Sequence, residues 1–180
     1  LENSVEYQIA LEYSNLDSRI QVFDMYNISG KSNTLNKMLV YCKYDWVAIL
    51  DVDDIWFPTK LEKQIEYLND YDVIGSLCVY FENREGTIPN LPVGDISKFD
   101  FRIVNPVTNS SSVMRKKLAK WNSAFEGVED YDLWVRLRDR NQKFYNINEV
   151  LVKHRVHESS AFNSKNQEEK IQIIRTRNIS

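Results

Sequence analysis

Near the amino end, Val5, Ile9, Leu11 and Tyr13 in "SVEYQIALEY" are spaced for a helix rather than a strand. "DSR" then turns the chain into "IQVFDM", a short predicted strand, and "NISGKS" is a loop leading into a helix over about 33–42. The apolar run "DWVAIL", residues 45–50, predicts a buried strand. Pro58 suits the first turn of the next helix, "TKLEKQIEYL", whose apolar positions are 61, 65 and 68. "DVIGSLCVYF" predicts a further strand. Strands alternating with helices in this way argue for a parallel or mixed sheet covered by helices.

Residues 82–106 break that rhythm with three of the four prolines and two of the five glycines, predicting a long surface loop rather than a domain boundary. Beyond it, "TNSSSVM" predicts a strand, "KKLAKW" a short helix, and "VEDYDLWVRLRDR" a longer helix with apolar positions at 133 and 137. "FYNI" and "EVLVKHRVH" read as a closing pair of strands. The final segment, 162–180, holds an amphipathic helix over 167–177 with Ile171, Ile173 and Ile174 on its apolar side.

A 180-residue chain that is 43% hydrophobic and 12% aromatic suits one globular domain with a sizeable core. Its net charge of -3 and lack of a basic block exclude a general affinity for nucleic acid. Cys42 and Cys78 both lie in apolar segments and read as buried free thiols of a reducing compartment. The expected location is cytoplasmic, with a peripheral place at a membrane left open. No apolar run reaches the roughly 18 residues that a membrane-spanning helix needs.

The chemistry concentrates where the apolar run "WVAIL" gives way to "DVDD", three carboxylates in four positions. Ligands of open α/β sheets bind beyond the carboxyl ends of the strands, so the cluster stands where a site belongs. Crowded carboxylates repel unless a cation or water neutralises them, and Mg²⁺ or Mn²⁺ does so with oxygen ligands. One or two carboxylates suffice when the substrate brings a diphosphate. The competing reading is a solvated turn whose acids favour the dipole of the following helix.

"LDVDDIWFPTKLEKQ" resembles the Leu-Asp-x-Asp-Asp-x-x-x-Pro-x-x-Leu-x-x-Gln stretch of family 2 glycosyltransferases, an inverting class with the GT-A fold, an α/β architecture of a mixed, mostly parallel sheet flanked by helices. The resemblance implies that Asp51, Asp53 and Asp54 hold a divalent ion, Mn²⁺ or Mg²⁺, and that Asp51 and Asp53 contact the nucleotide-diphosphate sugar donor. "NISGKSNTLNKML" resembles the family's Asn-x-Gly-x-Ser-x-Ala-x-Asn helix start, which makes Gly30, Lys31 and Asn36 donor-binding candidates. The glycine allows close backbone approach, and free N–H groups at the helix start suit an anion.

"EGVEDYDLWVRL" resembles the family's Glu-Asp-x-x-Leu-Trp motif, which implies Asp130 as the base that takes the acceptor's proton and Glu129 as its neighbour binding acceptor hydroxyls. "VKHRVHESS" resembles the late Arg-x-His segment. It implies His157 as a metal ligand, chosen over His154, which an extended strand would turn to the other side, and Arg155 as a phosphate partner. Trp56, Ser111, Ser112, Tyr131 and Trp134 are candidates for the acceptor side, a hydroxyl-bearing glycan, lipid or protein.

The matches are collinear from about residue 5 to 160. The family's first strand and its Asp-Asp-Gly-Ser segment find no counterpart, so the resemblance implies a domain lacking its nucleobase-binding start. Two other functions compete. One is a GT-A-like module that binds a glycan or partner without catalysis. The other is a haloacid-dehalogenase-type phosphatase with Asp51 as nucleophile, which "ILDVDDI" partly mimics.

Overall fold

The structure, a computed structural model, describes residues 4–156 and 167–177. Helix α1 (Val5–Leu16) opens at Ser4, whose hydroxyl accepts from the Tyr7 amide at 3.2 Å. A side-chain oxygen at that position satisfies one of the amides a helix start leaves unpaired. Residues 20–25 carry no strand pairing, contrary to the expected strand: an apolar alternation becomes a strand only where a neighbour offers a ladder. Helix α2 (Lys31–Met38) follows Gly30.

Strand β1 (Trp46–Ala48) leads to the aspartates, and β2 (Ile55–Trp56) leaves them. Helix α3 (Lys60–Ile65) comes next, but turned the other way from expectation. Leu61 and Ile65 are exposed, whereas Lys60 and Gln64 are buried. The apolar spacing marked the wrong face because the inner face is filled by a polar network.

Strand β3 (Val73–Glu82) is the long central strand, and β4 (Gly94–Asp95) is the one short strand within the predicted loop 82–106. The Ser-rich segment is not all strand: Asn109–Ser111 form a 3-10 turn and only Val113–Arg115 form β5. "KKLAKW" is likewise reduced to a 3-10 turn at Lys116–Leu118. Helix α4 (Glu129–Asp139) carries Glu129, Asp130 and Asp132 in its first turn and Arg136 and Arg138 in its last, the arrangement that the helix dipole favours. The predicted closing pair of strands is one strand, β6 (Phe144–Val156), accommodated by register shifts against β3 at Ser76, Leu77 and Cys78. Helix α5 (Gln167–Thr176) closes the described chain.

The sheet runs β1-β5-β3-β6-β2, with β4 on β6. It is mixed, as expected, but not mostly parallel. Among the described residues only β3 and β6 pair in parallel, and the other four pairings are antiparallel. The main core lies between this sheet and α4, where Leu133, Trp134, Val135 and Leu137 pack with Phe101, Met114, Phe144 and Ile174 of α5. Cys42 and Cys78 are free thiols, Cys42 only half-buried. No helix among the described residues is long and apolar enough to cross a membrane.

Candidate active site

The site is assembled from five places in the chain: the Asp51–Asp54 turn, the start of α2, the 3-10 turn at Asn109–Ser111, the start of α4 and the end of β6. Two pairings fix the aspartate turn. β1 pairs with β5, and β2 pairs with β6 at Ile55–Lys153 and Trp56–Val152, which brings Asp54 beside His154 and Arg155.

The three aspartates are held differently. Asp51 is half-buried, and its carboxylate accepts from Asn109 Nδ2 at 3.1 and 3.2 Å and pairs with Lys31 Nζ at 2.7 Å. Its amide donates to Ser110 Oγ at 3.0 Å. Asp53 is half-buried, and its backbone carbonyl accepts from Arg155 Nε at 3.0 Å. Asp54 is buried, with His154 Nδ1 3.0 Å from both its oxygens and the Arg155 amide donating at 2.9 Å. Burial would raise the Asp54 pKa, but the bonds from His154 and Ser110 outweigh it and hold the carboxyl below its ordinary value. Conversely, burial pulls the His154 imidazole down, and its bond to Asp54 lifts it above the usual histidine value. Asp54 therefore fastens the turn to β6.

On the opposite wall, Lys31 Nζ also pairs with Glu129 Oε1 at 3.2 Å, so one ammonium joins the aspartate turn to the start of α4. Burial alone would lower the Lys31 pKa, but the charges of Asp51 and Glu129 raise it above the ordinary lysine value. Glu129 is buried, and its other oxygen accepts from the Gly127 amide at 2.7 Å. Asp130 is half-buried, held by Asn105 Nδ2 at 3.1 Å and by the Tyr131 amide at 2.7 Å. Burial, reinforced by the Glu129 charge, pushes its pKa up to about 6. A carboxylate so tuned is ionised at neutral pH yet basic enough to take a proton.

Several sequence-based expectations need correcting. The start of α2 is not left open for an anion: Ser32 N donates to Glu126 Oε1 at 2.7 Å, and Gly30, at φ +87°, leaves room for that carboxylate, 3.1 Å from where a Cβ would stand. Asn36 is engaged by the fold itself. Its amide bonds both ways to the Trp121 backbone, donating at 2.8 Å and accepting at 3.0 Å. Ser111, Ser112 and Trp134 are fully enclosed, and Tyr131 nearly so. Their polar atoms serve the fold, the Trp134 indole donating to Val107 O and the Tyr131 hydroxyl to Phe101 O. Glu129 is likewise committed to Lys31 and its own loop rather than presented to an acceptor. Trp56 is half-buried, its indole donates to Ser110 O at 2.6 Å, and Lys60 Nζ covers its ring at 4.1 Å. Arg155 pairs with Glu82 and with the Asp53 carbonyl. His157 lies outside the described residues, and it is His154 that meets the aspartates.

Asn105, Asn109, Ser110 and Glu126 were not singled out, since each acts through a contact distant in sequence, and His154 was passed over for His157 on the alternation of an extended strand. Gln64 did have a signal, being the last residue of the Pro-x-x-Leu-x-x-Gln pattern. Its amide donates to Ile74 O at 3.0 Å and Ser111 O at 2.7 Å, beneath the aspartate turn.

Among the described residues no three acidic, histidine or cysteine side chains converge as a self-contained metal site. The donor set fits a hard divalent ion that takes one or two carboxylates and completes its shell from diphosphate and water. Asp53 is the first candidate, while the Asp51 carboxylate is shared with Lys31 and Asn109 and that of Asp54 with His154.

A curled mixed sheet with helices around an aspartate turn is the GT-A architecture. Among solved structures, TarS of S. aureus in complex with UDP-GlcNAc superposes with a TM-score of 0.76 at 14% identity, covering 96% of this chain and 53% of that one. Residues 5–124 match the model of glycosyl transferase family 2, and the chain belongs to that family. It is 30% identical to an uncharacterized glycosyltransferase, MJ1057, of Methanocaldococcus jannaschii over 94% of this chain and 62% of that protein. It is also 30% identical to the O-antigen biosynthesis glycosyltransferase WbnJ of Escherichia coli over 82% of this chain and 61% of that protein. The chain thus spans about three fifths of these relatives.

Proposed function

We propose that this domain transfers a sugar from a nucleotide-diphosphate donor to a hydroxyl acceptor with inversion, Asp130 acting as base. The observation that carries the reading is the double ion pair of Lys31, which sets the aspartate turn and the Glu129–Asp130 pair on opposite sides of one ammonium. Donor-binding acids and an acceptor base must face each other across a single reacting carbon, and these two motifs are some 75 residues apart in sequence.

In the proposed step the acceptor oxygen attacks the anomeric carbon, its proton passes to a carboxylate oxygen of Asp130, and the bond from that carbon to the diphosphate breaks. One displacement inverts the centre. Asn105 and the Tyr131 amide aim the Asp130 carboxylate, and the half-buried setting excludes water that would compete as acceptor. Asp53 and Asp51 would hold a divalent ion, which when bound offsets charge on the departing diphosphate. Arg155, paired with Glu82 and anchored on the Asp53 carbonyl, braces the turn from that side. The name of WbnJ points to a glycan acceptor.

The test is a screen of UDP, GDP and dTDP sugars on the full-length protein, with and without Mn²⁺, followed by Asp130→Asn. The expected outcome is donor binding kept in the variant and transfer reduced by about a thousandfold. Transfer at the wild-type rate in Asp130→Asn removes that residue from the mechanism, and no binding of any donor rejects the reading as a whole.

A further inference from the structure

The loop from Phe125 to Val128 stands immediately before Glu129 and Asp130, and it is gripped from two sides. On one side the Glu126 carboxylate reaches the start of α2 through Ser32 N. On the other side its carbonyls meet α5. Lys170 Nζ donates to Glu126 O at 2.8 Å, and Gln167 Nε2 donates to Gly127 O at 3.1 Å. Gln167 is buried, and its amide nitrogen would stand 2.9 Å from a Cβ at position 127, where the backbone has φ +89°. The glycine is thus required twice over, by conformation and by the approach of α5.

The same helix holds the body of α4. Ile174 is fully buried in the core, and Arg177, just beyond the helix, donates to Asp132 Oδ1 at 2.7 Å while lying 5.0 Å over the Phe125 ring. Every one of these contacts falls on Phe125–Asp132 or the core beneath it, and none falls on the aspartate turn.

We infer that α5 is a positioning element for the base, Lys170 and Gln167 fixing the loop carbonyls so that the first turn of α4 presents Asp130 to the acceptor. This rests on the reading of Asp130 as base. The mechanism is geometric: two charge-assisted or buried hydrogen bonds to consecutive carbonyls leave the 126–128 peptides one orientation, and α4 begins from it. A displacement of about 1 Å in a reacting group can cost about a hundredfold in rate.

The experiment compares Lys170→Met, Lys170→Arg and Gln167→Leu in the full-length protein, with Asp130→Asn in parallel. Donor affinity is read by titration with UDP sugars and Mn²⁺, and kcat by acceptor turnover. Lys170 is only half-buried, so its variants keep the fold, which a melting curve checks. The expected result is a kcat at least tenfold lower in Lys170→Met with donor Kd within twofold of wild type, recovery in Lys170→Arg, and a similar loss in Gln167→Leu. Wild-type kcat in both Lys170→Met and Gln167→Leu, while Asp130→Asn is inactive, overturns the role of α5 alone. Loss of donor affinity in step with kcat, without recovery in Lys170→Arg, also overturns it, since that marks general destabilisation. Full transfer in Asp130→Asn overturns the underlying assignment of the base instead.

Discussion

His154 Nδ1 stands 3.0 Å from both carboxylate oxygens of Asp54, tying the end of β6 to the aspartate turn across a hundred residues of sequence. The contact makes the third aspartate a fastener of the turn. Asp54, with its pKa lowered, contributes stability that is present above its ordinary 3.8 and lost as pH falls through the lower folded value. His154, with its pKa raised, contributes stability that is present below 6.5 and lost as pH rises through the higher folded value. The pair therefore stabilises most between those limits. Replacing His154 by Ala should cost about 1–2 kcal/mol at pH 5.5 and less at pH 9, the half-exposed ring being partly screened by water. Urea unfolding at the two pH values checks this, and an equal cost at both would mean that the ring packs without carrying charge.

As the proposed base, Asp130 predicts the acid limb of the reaction. Burial and the Glu129 charge place its pKa at about 6, so kcat/KM should rise with pH through that value as the carboxyl loses its proton. Lys31 opposes the rise. Lys31→Met should move the limb to higher pH, and Glu129→Gln should move it lower. A pH profile of the three proteins measures both displacements, and limbs that coincide would show that another group governs the rate.

Much of the scaffold was legible in the sequence because it rests on local periodicity. The helices at α1, α4 and α5 and the strands at β1 and β3 follow apolar spacing over their own length, and α2 follows the helix-start signal of "NISGKS". The site was legible only as motifs: "DVDD" and "VED" mark where charges concentrate, but not which carboxylate points where. That Asp54 is bound by His154 depends on β2 pairing with β6, and that Glu129 is bound by Lys31 depends on α2 reaching the start of α4. Neither fact has a trace in local spacing. Ser111, Ser112, Tyr131 and Trp134 misled for the same reason, since a polar or aromatic side chain beside a motif serves a cleft or a core depending on neighbours far along the chain. Residues 20–25 show the converse, a strand-like pattern with no partner among the described strands.

The contact between Glu126 and the start of α2 makes Gly30 a sensitive position. Its φ of +87° is a region that other residues occupy at a cost, and a methyl there would stand 3.1 Å from Glu126 Oε1. Gly30→Ala should destabilise the fold by about 1–2 kcal/mol, from backbone strain and a weakened cap together. Glu126→Ala should cost about 1 kcal/mol through the cap alone. If thermal or urea unfolding ranks the two in the reverse order, the carboxylate contributes more than the backbone.

Lys60 carries the most unusual charge in the fold. The residue is 1% exposed, its ammonium lies 4.1 Å over the Trp56 ring, and that ammonium donates to Gln64 Oε1 at 2.7 Å. Among the described residues no carboxylate pairs with it, and burial lowers its pKa from 10.5 to about 7. The unfolded chain holds this proton up to about pH 10.5 and the folded one only to about 7, so between those values unfolding takes up a proton and stability rises with pH. The full penalty, present below about pH 7, is on the order of 5 kcal/mol. Lys60→Met removes the titration but leaves Gln64 Oε1 without its donor, at about 1–3 kcal/mol. The variant should therefore gain on wild type at pH 7 and lose that advantage by pH 10. Urea unfolding of both proteins at pH 7, 8.5 and 10 measures the difference. A gap that stays constant across the series would mean that the amine reaches water and keeps its proton, and that the network beneath the aspartate turn is charged rather than neutral.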